Sequence, residues 1–166
     1  MPKIRLATPA DVATLQPLVQ RAYRGEAARA GWTHEADILD GERISTADLA
    51  ALIADPNERL LIAEDGAAMI GCVRLADLGD GLAYLGLLAV DPTRQAAGIG
   101  RTLIDAAEAL ARDGLGANRI EMTVIDTRHE LIAYYQRRGY APAGVRPFPF
   151  PTDPPLAMVV LDKALR

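Results

Sequence analysis

Residues 82–90 read Leu-Ala-Tyr-Leu-Gly-Leu-Leu-Ala-Val, nine positions without a charge. A strand that is apolar on both faces has no side to give to water, so it belongs in the middle of a sheet with helices over both faces. The run is far short of the ~20 residues that span a bilayer. It stops at Asp91-Pro92, where proline ends a hydrogen-bonded ladder. The rest of the chain must therefore cover this strand twice.

The flanking segments have the periods to do so. Leu103, Ile104, Ala107, Leu110 and Ala111 recur at helical spacing opposite Arg101, Asp105, Glu108 and Arg112, which predicts an amphipathic helix. Residues 118–125 alternate as a strand, residues 129–138 read as a helix stopped by Gly139, and 156–165 read as a last strand. Ahead of the central run, two β-like segments flank Asp65-Gly66, a pairing that favours tight hairpin turns. Ile4 and Leu6 begin a strand, and Thr8, Pro9 and Asp11 stand where an N-cap, a first helical residue and a first-turn acid would stand. The stripe Val12, Leu15, Leu18, Val19 and Ala22 follows, with Pro17 placed to kink that helix. From Arg24 to Ile44 the period is lost in a polar, glycine-punctuated stretch, read as an ordered excursion over the surface, and a second helix is expected at 46–54. Five of the 11 prolines fall between Gly144 and Leu156 and mark a stiff, non-helical connector. This order predicts an α/β fold with a mixed, mostly antiparallel central sheet and helices on both faces.

Composition narrows the function. The 166 residues are 50% hydrophobic, enough for one globular domain over 1–166, and 18 Lys+Arg against 22 Asp+Glu leave a net charge of -4. With no basic stripe, nucleic acid is not an expected partner. The single Cys72 and the distant His34 and His129 supply neither an intrachain disulfide nor a Cys/His metal set. The N-terminal residues lack the apolar stretch of a signal peptide. A cytoplasmic, metal-free protein that enters no membrane is expected, and assembly as a homodimer stays open.

The most informative chemistry follows the central run. Gln95-Ala96-Ala97-Gly98-Ile99-Gly100 leads into the amphipathic helix, where small residues let backbone approach a ligand and unpaired N–H groups face an anion. Arg94 and Arg101 flank it and can add charge-assisted contacts. A tight strand-to-helix turn would use the same glycines. Neither nucleotide fingerprint fits: a dinucleotide site would want glycine at Leu103, and the Gly-Lys-Ser/Thr of a P-loop is absent.

The segment Val90-Asp91-Pro92-Thr93-Arg94-Gln95-Ala96-Ala97-Gly98-Ile99-Gly100 resembles motif A of the GCN5-related N-acetyltransferase (GNAT) superfamily, Gln/Arg-x-x-Gly-x-Gly/Ala after a strand ending in Val-x-Pro. Tyr135, Gly139 and Tyr140 are similar to that family's Tyr-x-x-x-Gly-Phe/Tyr. The likeness covers roughly residues 60–140. Two positions depart: Ala96 stands where most members carry glycine, and Arg128 where Asn is frequent, so that residue's family contact with the cofactor is not carried over.

The resemblance implies strands 4 and 5 splayed into a V that receives acetyl-CoA. It implies Leu88, Ala89 and Val90 along the pantetheine arm, and Arg94, Gln95, Ala96, Ala97, Gly98, Ile99, Gly100 and Arg101 around the pyrophosphate. Tyr135 matches the family's general acid, which protonates the departing thiolate. A phenol and a thiol ordinarily differ by only ~1–2 pKa units, so that transfer is feasible. Packing alone would also account for Tyr135, since Leu131 and Ile132 share its helix face. For proton removal from the acceptor amine the residues leave Tyr84, Glu121, Thr123 or a water open. His129 reads as a cap or surface group, and Cys72 as a buried inert thiol. Trp32, Glu35, Tyr84 and Phe148 are candidate contacts to the acceptor, with Glu26 and Asp37 as further acids near it and Phe150 bordering the same site. The implied activity is direct acetyl transfer from acetyl-CoA to a primary amine of a small molecule or peptide. A non-catalytic acyl-CoA sensor on the same scaffold is the alternative reading, and a generic nucleotide binder a weaker one.

Overall fold

In the computed structural model, which describes residues 2–29, 44–148, 151 and 153–166 without the side chains of 23–29 and 95–97, the uncharged run lies at the centre of a sheet. In chain order the elements are β1 Lys3–Leu6, α1 Val12–Arg29, α2 Thr46–Ala54, β2 Glu58–Asp65, β3 Ala68–Gly79 and β4 Leu82–Val90. Then come α3 Ile99–Gly114, β5 Arg119–Ile125, α4 His129–Arg137, β6 Ala141–Pro147 and β7 Ala157–Ala164. The described strands form one seven-stranded sheet in the order β1-β2-β3-β4-β5-β7-β6. All neighbours are antiparallel except β4 and β5, whose parallel pairing needs the crossover that α3 supplies.

Helices cover both faces, as the doubly apolar β4 requires. One core cluster joins Leu103, Ile104, Ala107 and Ala111 of α3 and Tyr135 of α4 to Val73, Leu75, Ala83, Leu85, Ile120 and Met122. The other joins Leu15 and Val19 of α1 and Leu49 of α2 to Leu60, Ile62, Cys72 and Ala89. Ala83 and Ala89 share a parity yet pack on opposite faces. The cause is a bulge: Cys72 pairs with Ala89 but Arg74 pairs with Gly86, so Leu87 and Leu88 oppose one residue of β3. One extra residue inverts the alternation that follows it.

Two expectations change. The helical period was predicted to end at Arg24, but α1 runs on through Arg29. Pro17 sits inside it without ending it, and Gly25 is followed by Ala27 and Ala28, whose propensity offsets a single glycine. The proline-marked segment after Gly144 is not all connector, because β6 continues to Pro147. β6 is an edge strand exposed along its whole length, so no alternation betrays it, and an edge tolerates Pro142 and Pro147. The hairpin at Asp65-Gly66, the helix at 46–54 and the strand at 82–90 stand as predicted. Among the described residues, no helix is long and apolar enough to cross a membrane.

The N-terminal strand is tied down by charge. Arg5 forks onto both oxygens of Asp11 at 2.8 Å and reaches Glu64 of β2 at 2.8 Å, while Asp11 also accepts from the Thr8 backbone at 2.7 Å. The Arg5 hydrogen bonds hold the Asp11 carboxyl far below the ordinary carboxylate range. A carboxylate with a depressed folded-state pKa contributes stability above its unfolded value of ~3.9 and loses it as pH falls from there toward the folded value. Asp11→Asn is therefore expected to cost about 1 kcal/mol at pH 7, from the lost cap and fork. Urea unfolding should show that difference shrinking below about pH 4.

Candidate functional site

The site begins where the sheet comes apart. β4 and β5 are in register only through Leu82–Tyr84 with Arg119–Glu121, although the strands run on to Val90 and Ile125. Beyond Tyr84 the two diverge, which leaves that edge of β4 without β5 as a partner. The V inferred from the family resemblance is thus present. A polar contact crosses it: the Tyr84 hydroxyl lies 2.8 Å from Thr123 Oγ1. The bulge falls in the same stretch, and Leu87 there has φ +50°, a left-handed conformation that costs a non-glycine residue of order 1–3 kcal/mol.

At the far end of the V the backbone turns into α3 through a glycine-bearing helix start, a cradle whose geometry suits an anion. Asp91 Oδ1 accepts from Thr93 N at 3.0 Å and from Thr93 Oγ1 at 2.8 Å, starting a 3-10 turn over Pro92–Ala97. Gly98 then takes φ +74°, ψ +17° and serves as N-cap of α3. No atom crowds the position a Cβ would occupy, so it is the dihedral that calls for glycine. Thr102 N donates back to Gly98 O at 3.1 Å, while the N–H groups before it have no helical acceptor and point, with the positive dipole end, at whatever sits there. Ala96, which stands where the family carries glycine, lies within that 3-10 turn. Of the two flanking cations, Arg101 is exposed, whereas Arg94 is bridged to Asp65 at 2.7 Å on the surface. Asp65 therefore competes with an anion in the cradle for Arg94.

On the opposite face a cleft of about 510 Å³ lies between α2 and the strands, lined by Asp48, Asp55, Arg74, Tyr84, Gly86 and Leu87 among others. Glu58 grips Arg74 in a fork, Nε to Oε2 at 2.8 Å and Nη2 to Oε1 at 2.6 Å, and the guanidinium carbon stands 5.7 Å from the centre of the Tyr84 ring. The Glu58 hydrogen bonds raise the Arg74 pKa further, so that cation is permanent. Asp48 stands in the first turn of α2, and Asp55 accepts from Asn57 N at 2.8 Å.

Tyr135 is buried, with edge-on contacts to Tyr134 (centroids 5.4 Å apart) and Tyr140 (6.0 Å). Tyr140 is an anchor: its hydroxyl donates to Glu108 at 2.8 Å, and burial, followed by that carboxylate, pushes its pKa up. Of the residues weighed as bases, Tyr84 and Thr123 meet in the V. Glu121 is buried and paired with Arg146 at 2.9 Å, so its carboxylate already has a cationic partner. His129 is exposed at the first position of α4, as a surface group would be. Phe148 is half-buried just after β6. Trp32, Glu35, Asp37 and Phe150, and the side chain of Glu26, lie outside the described residues. Sequence reasoning missed Glu58, Arg74, Gly86, Asp48 and Asp55. A charged Arg74 inside the apolar run of β3 was the available signal, since a half-buried cation needs a partner across the sheet.

The sequence model of the acetyltransferase (GNAT) family matches residues 18–140. No curated protein matches the chain in sequence. Among solved structures, the fold is similar to that of PaiA N-acetyltransferase from Thermoplasma acidophilum in complex with coenzyme A. Identity there is 19%, the TM-score 0.81, and the match covers 99% of each chain. It is also similar to ribosomal-protein-S18-alanine N-acetyltransferase from Escherichia coli, at 18% identity and TM-score 0.78, over 99% of this chain and 94% of that one. YncA from Salmonella typhimurium with its cofactor acetyl-CoA gives 19% identity and a TM-score of 0.76, over 100% of this chain and 95% of that one.

Cys72 stands beside this site without joining it. It is fully buried, its Sγ donates to Leu87 O at 3.6 Å, and burial pushes its pKa up to about 12. At pH 8 the thiolate is then on the order of one part in ten thousand. Iodoacetamide should leave the folded protein unmodified and alkylate Cys72 fully in urea, as mass spectrometry would report.

Proposed function

Because the chain belongs to the acetyltransferase (GNAT) family, we propose that it is a single-domain enzyme that moves an acetyl group from acetyl-CoA directly to a primary amine of a small molecule or peptide. The observation that carries this reading is the open V between β4 and β5, with a helix-start anion cradle at its far end and a cleft on the other face of the sheet. In this reading the exposed edge of β4 at Leu88, Ala89 and Val90 pairs with the pantetheine arm. The backbone from Gln95 to Arg101 holds the pyrophosphate through N–H groups that α3 leaves unpaired. The amine enters from the α2 side, past Asp48 and Asp55, whose charge favours an acceptor that arrives as a cation.

The chemistry asks little of the chain. The amine nitrogen bonds to the acetyl carbon as the carbon–sulfur bond breaks, and the thiolate needs a proton, which Tyr135 supplies. The amine's surplus proton leaves to water, and water returns one to the Tyr135 phenolate, so no net proton is gained or lost. A peptide N–H on the open edge of β4 would stabilise negative charge as it develops on the carbonyl oxygen. The cytoplasm is the setting we assign, in keeping with a free thiol at Cys72.

Thermal unfolding tests the first half. At about 100 times its Kd, CoA or acetyl-CoA should add about 2.7 kcal/mol of stability. Gly100→Asp should abolish that shift by placing a carboxylate against the pyrophosphate. A shift with ATP but none with CoA overturns the reading. Release of CoA over a panel of n-propylamine, benzylamine, L-lysine and spermidine tests the second half. Stabilisation by CoA with no turnover on any of them favours the acyl-CoA sensor. Tyr135→Phe should lower kcat by about a hundred-fold while leaving the CoA shift intact.

A further inference from the structure

Tyr84 is held more firmly than packing alone requires. Register between β4 and β5 ends at its pair with Glu121, so its ring lies at the mouth of the V. The side chain leans forward along its own strand, over Gly86, and puts its hydroxyl 2.8 Å from Thr123 Oγ1 on β5. Gly86 permits this: an added Cβ would stand 2.9 Å from Tyr84 Cε1, closer than real Cβ contacts come. Nothing in the Gly86 backbone demands glycine, since its φ is not positive, so the side chain is missing for the ring's sake. On the β3 side, Arg74 lies beside the ring at 5.7 Å, itself locked by Glu58. The same ring and Gly86 line the cleft beneath α2. A phenol that both lines the cleft and ends the β4–β5 register is thus fixed by three neighbours.

We propose that the Tyr84 hydroxyl is the contact that receives the acceptor amine, with Thr123 and Gly86 as positioning residues. This rests on the acetyl-transfer reading above. Either hydroxyl of this pair can donate; with Tyr84 as the donor to Thr123 Oγ1, the phenol oxygen's lone pairs are open to an N–H of the neutral amine. An amine held by one N–H has its own lone pair turned toward the opening between the strands. The contact moves no proton and forms no bond; it converts a freely tumbling nucleophile into an oriented one. Gly86 acts by letting the ring lie down, and Thr123 by fixing the direction in which the phenol O–H points.

The test uses the full chain and whichever of n-propylamine, benzylamine, L-lysine and spermidine it acetylates fastest. Tyr84→Phe should lower kcat/KM for that amine by about ten-fold, the worth of one such hydrogen bond, while the KM for acetyl-CoA stays within two-fold. Thr123→Val, which keeps the volume, should lower kcat more than it raises the amine KM. Gly86→Ala should cost about ten-fold in the wild-type background but less than two-fold when Tyr84→Phe is already present, because both act through one hydroxyl. The role is overturned if Tyr84→Phe leaves the amine kcat/KM within two-fold of wild type, if Thr123→Val leaves kcat unchanged, or if the cost of Gly86→Ala is the same in both backgrounds. Absence of turnover on all four amines in the wild type overturns this inference together with acetyl transfer, whereas turnover indifferent to these variants overturns this inference alone.

Discussion

The parting of β4 from β5 is the constraint on which the rest of this molecule depends. Two parallel strands that start in register would ordinarily stay hydrogen-bonded to their ends, and here they separate after three residue pairs. A sheet opened at its centre is tolerable only if the strands remain anchored on their other edges. β4 keeps its antiparallel ladder with β3, and β5 pairs with β7 from Arg119 to Ile125. The helices close the apolar faces to either side. Polar backbone in the gap is then held ready for a ligand that can complete the ladder.

The bulge in β4 makes the same strand serve two environments. Before it, Ala83 and Leu85 pack against α3; after it, Ala89 packs against α1 and α2. The inversion explains why the run 82–90 has no polar face: alternation is reset in mid-strand, and each half buries a different set of residues. It also leaves Tyr84, Gly86 and Leu87 lining the cleft on one side of the sheet while Val90 lies against the start of α3. Cleft and cradle are linked through one strand without sharing a side chain.

The features legible in the residues were those that repeat or punctuate. The hairpin turn, the helix at 46–54, the central strand and the glycine-bearing start of α3 have periods or turn residues whose physics is local. β6 was not legible because an edge strand exposed along its length has no buried face to show. Arg94 looked available to an anion because sequence distance hides Asp65, 29 positions away and one salt bridge off. Glu121 stayed open as a route for the amine's proton for the same reason, its partner Arg146 being 25 positions on. Charges that look alike in a string separate into paired and unpaired only when strands meet.

By itself the sequence determined the class of fold, the family and the position of the glycine-bearing start of α3, since each depends on neighbours within a dozen residues: alternation, helical period, and glycines at a helix start. Only the tertiary structure decided that the strands part after the Tyr84–Glu121 pair, that Glu58 holds Arg74, and that Tyr84 reaches Thr123 across the opening. Those are contacts between strands remote in the chain, and their existence depends on register and on the absence of a side chain at Gly86. Local patterns set what each segment can be; the packing of one strand against another sets which groups are left to do chemistry.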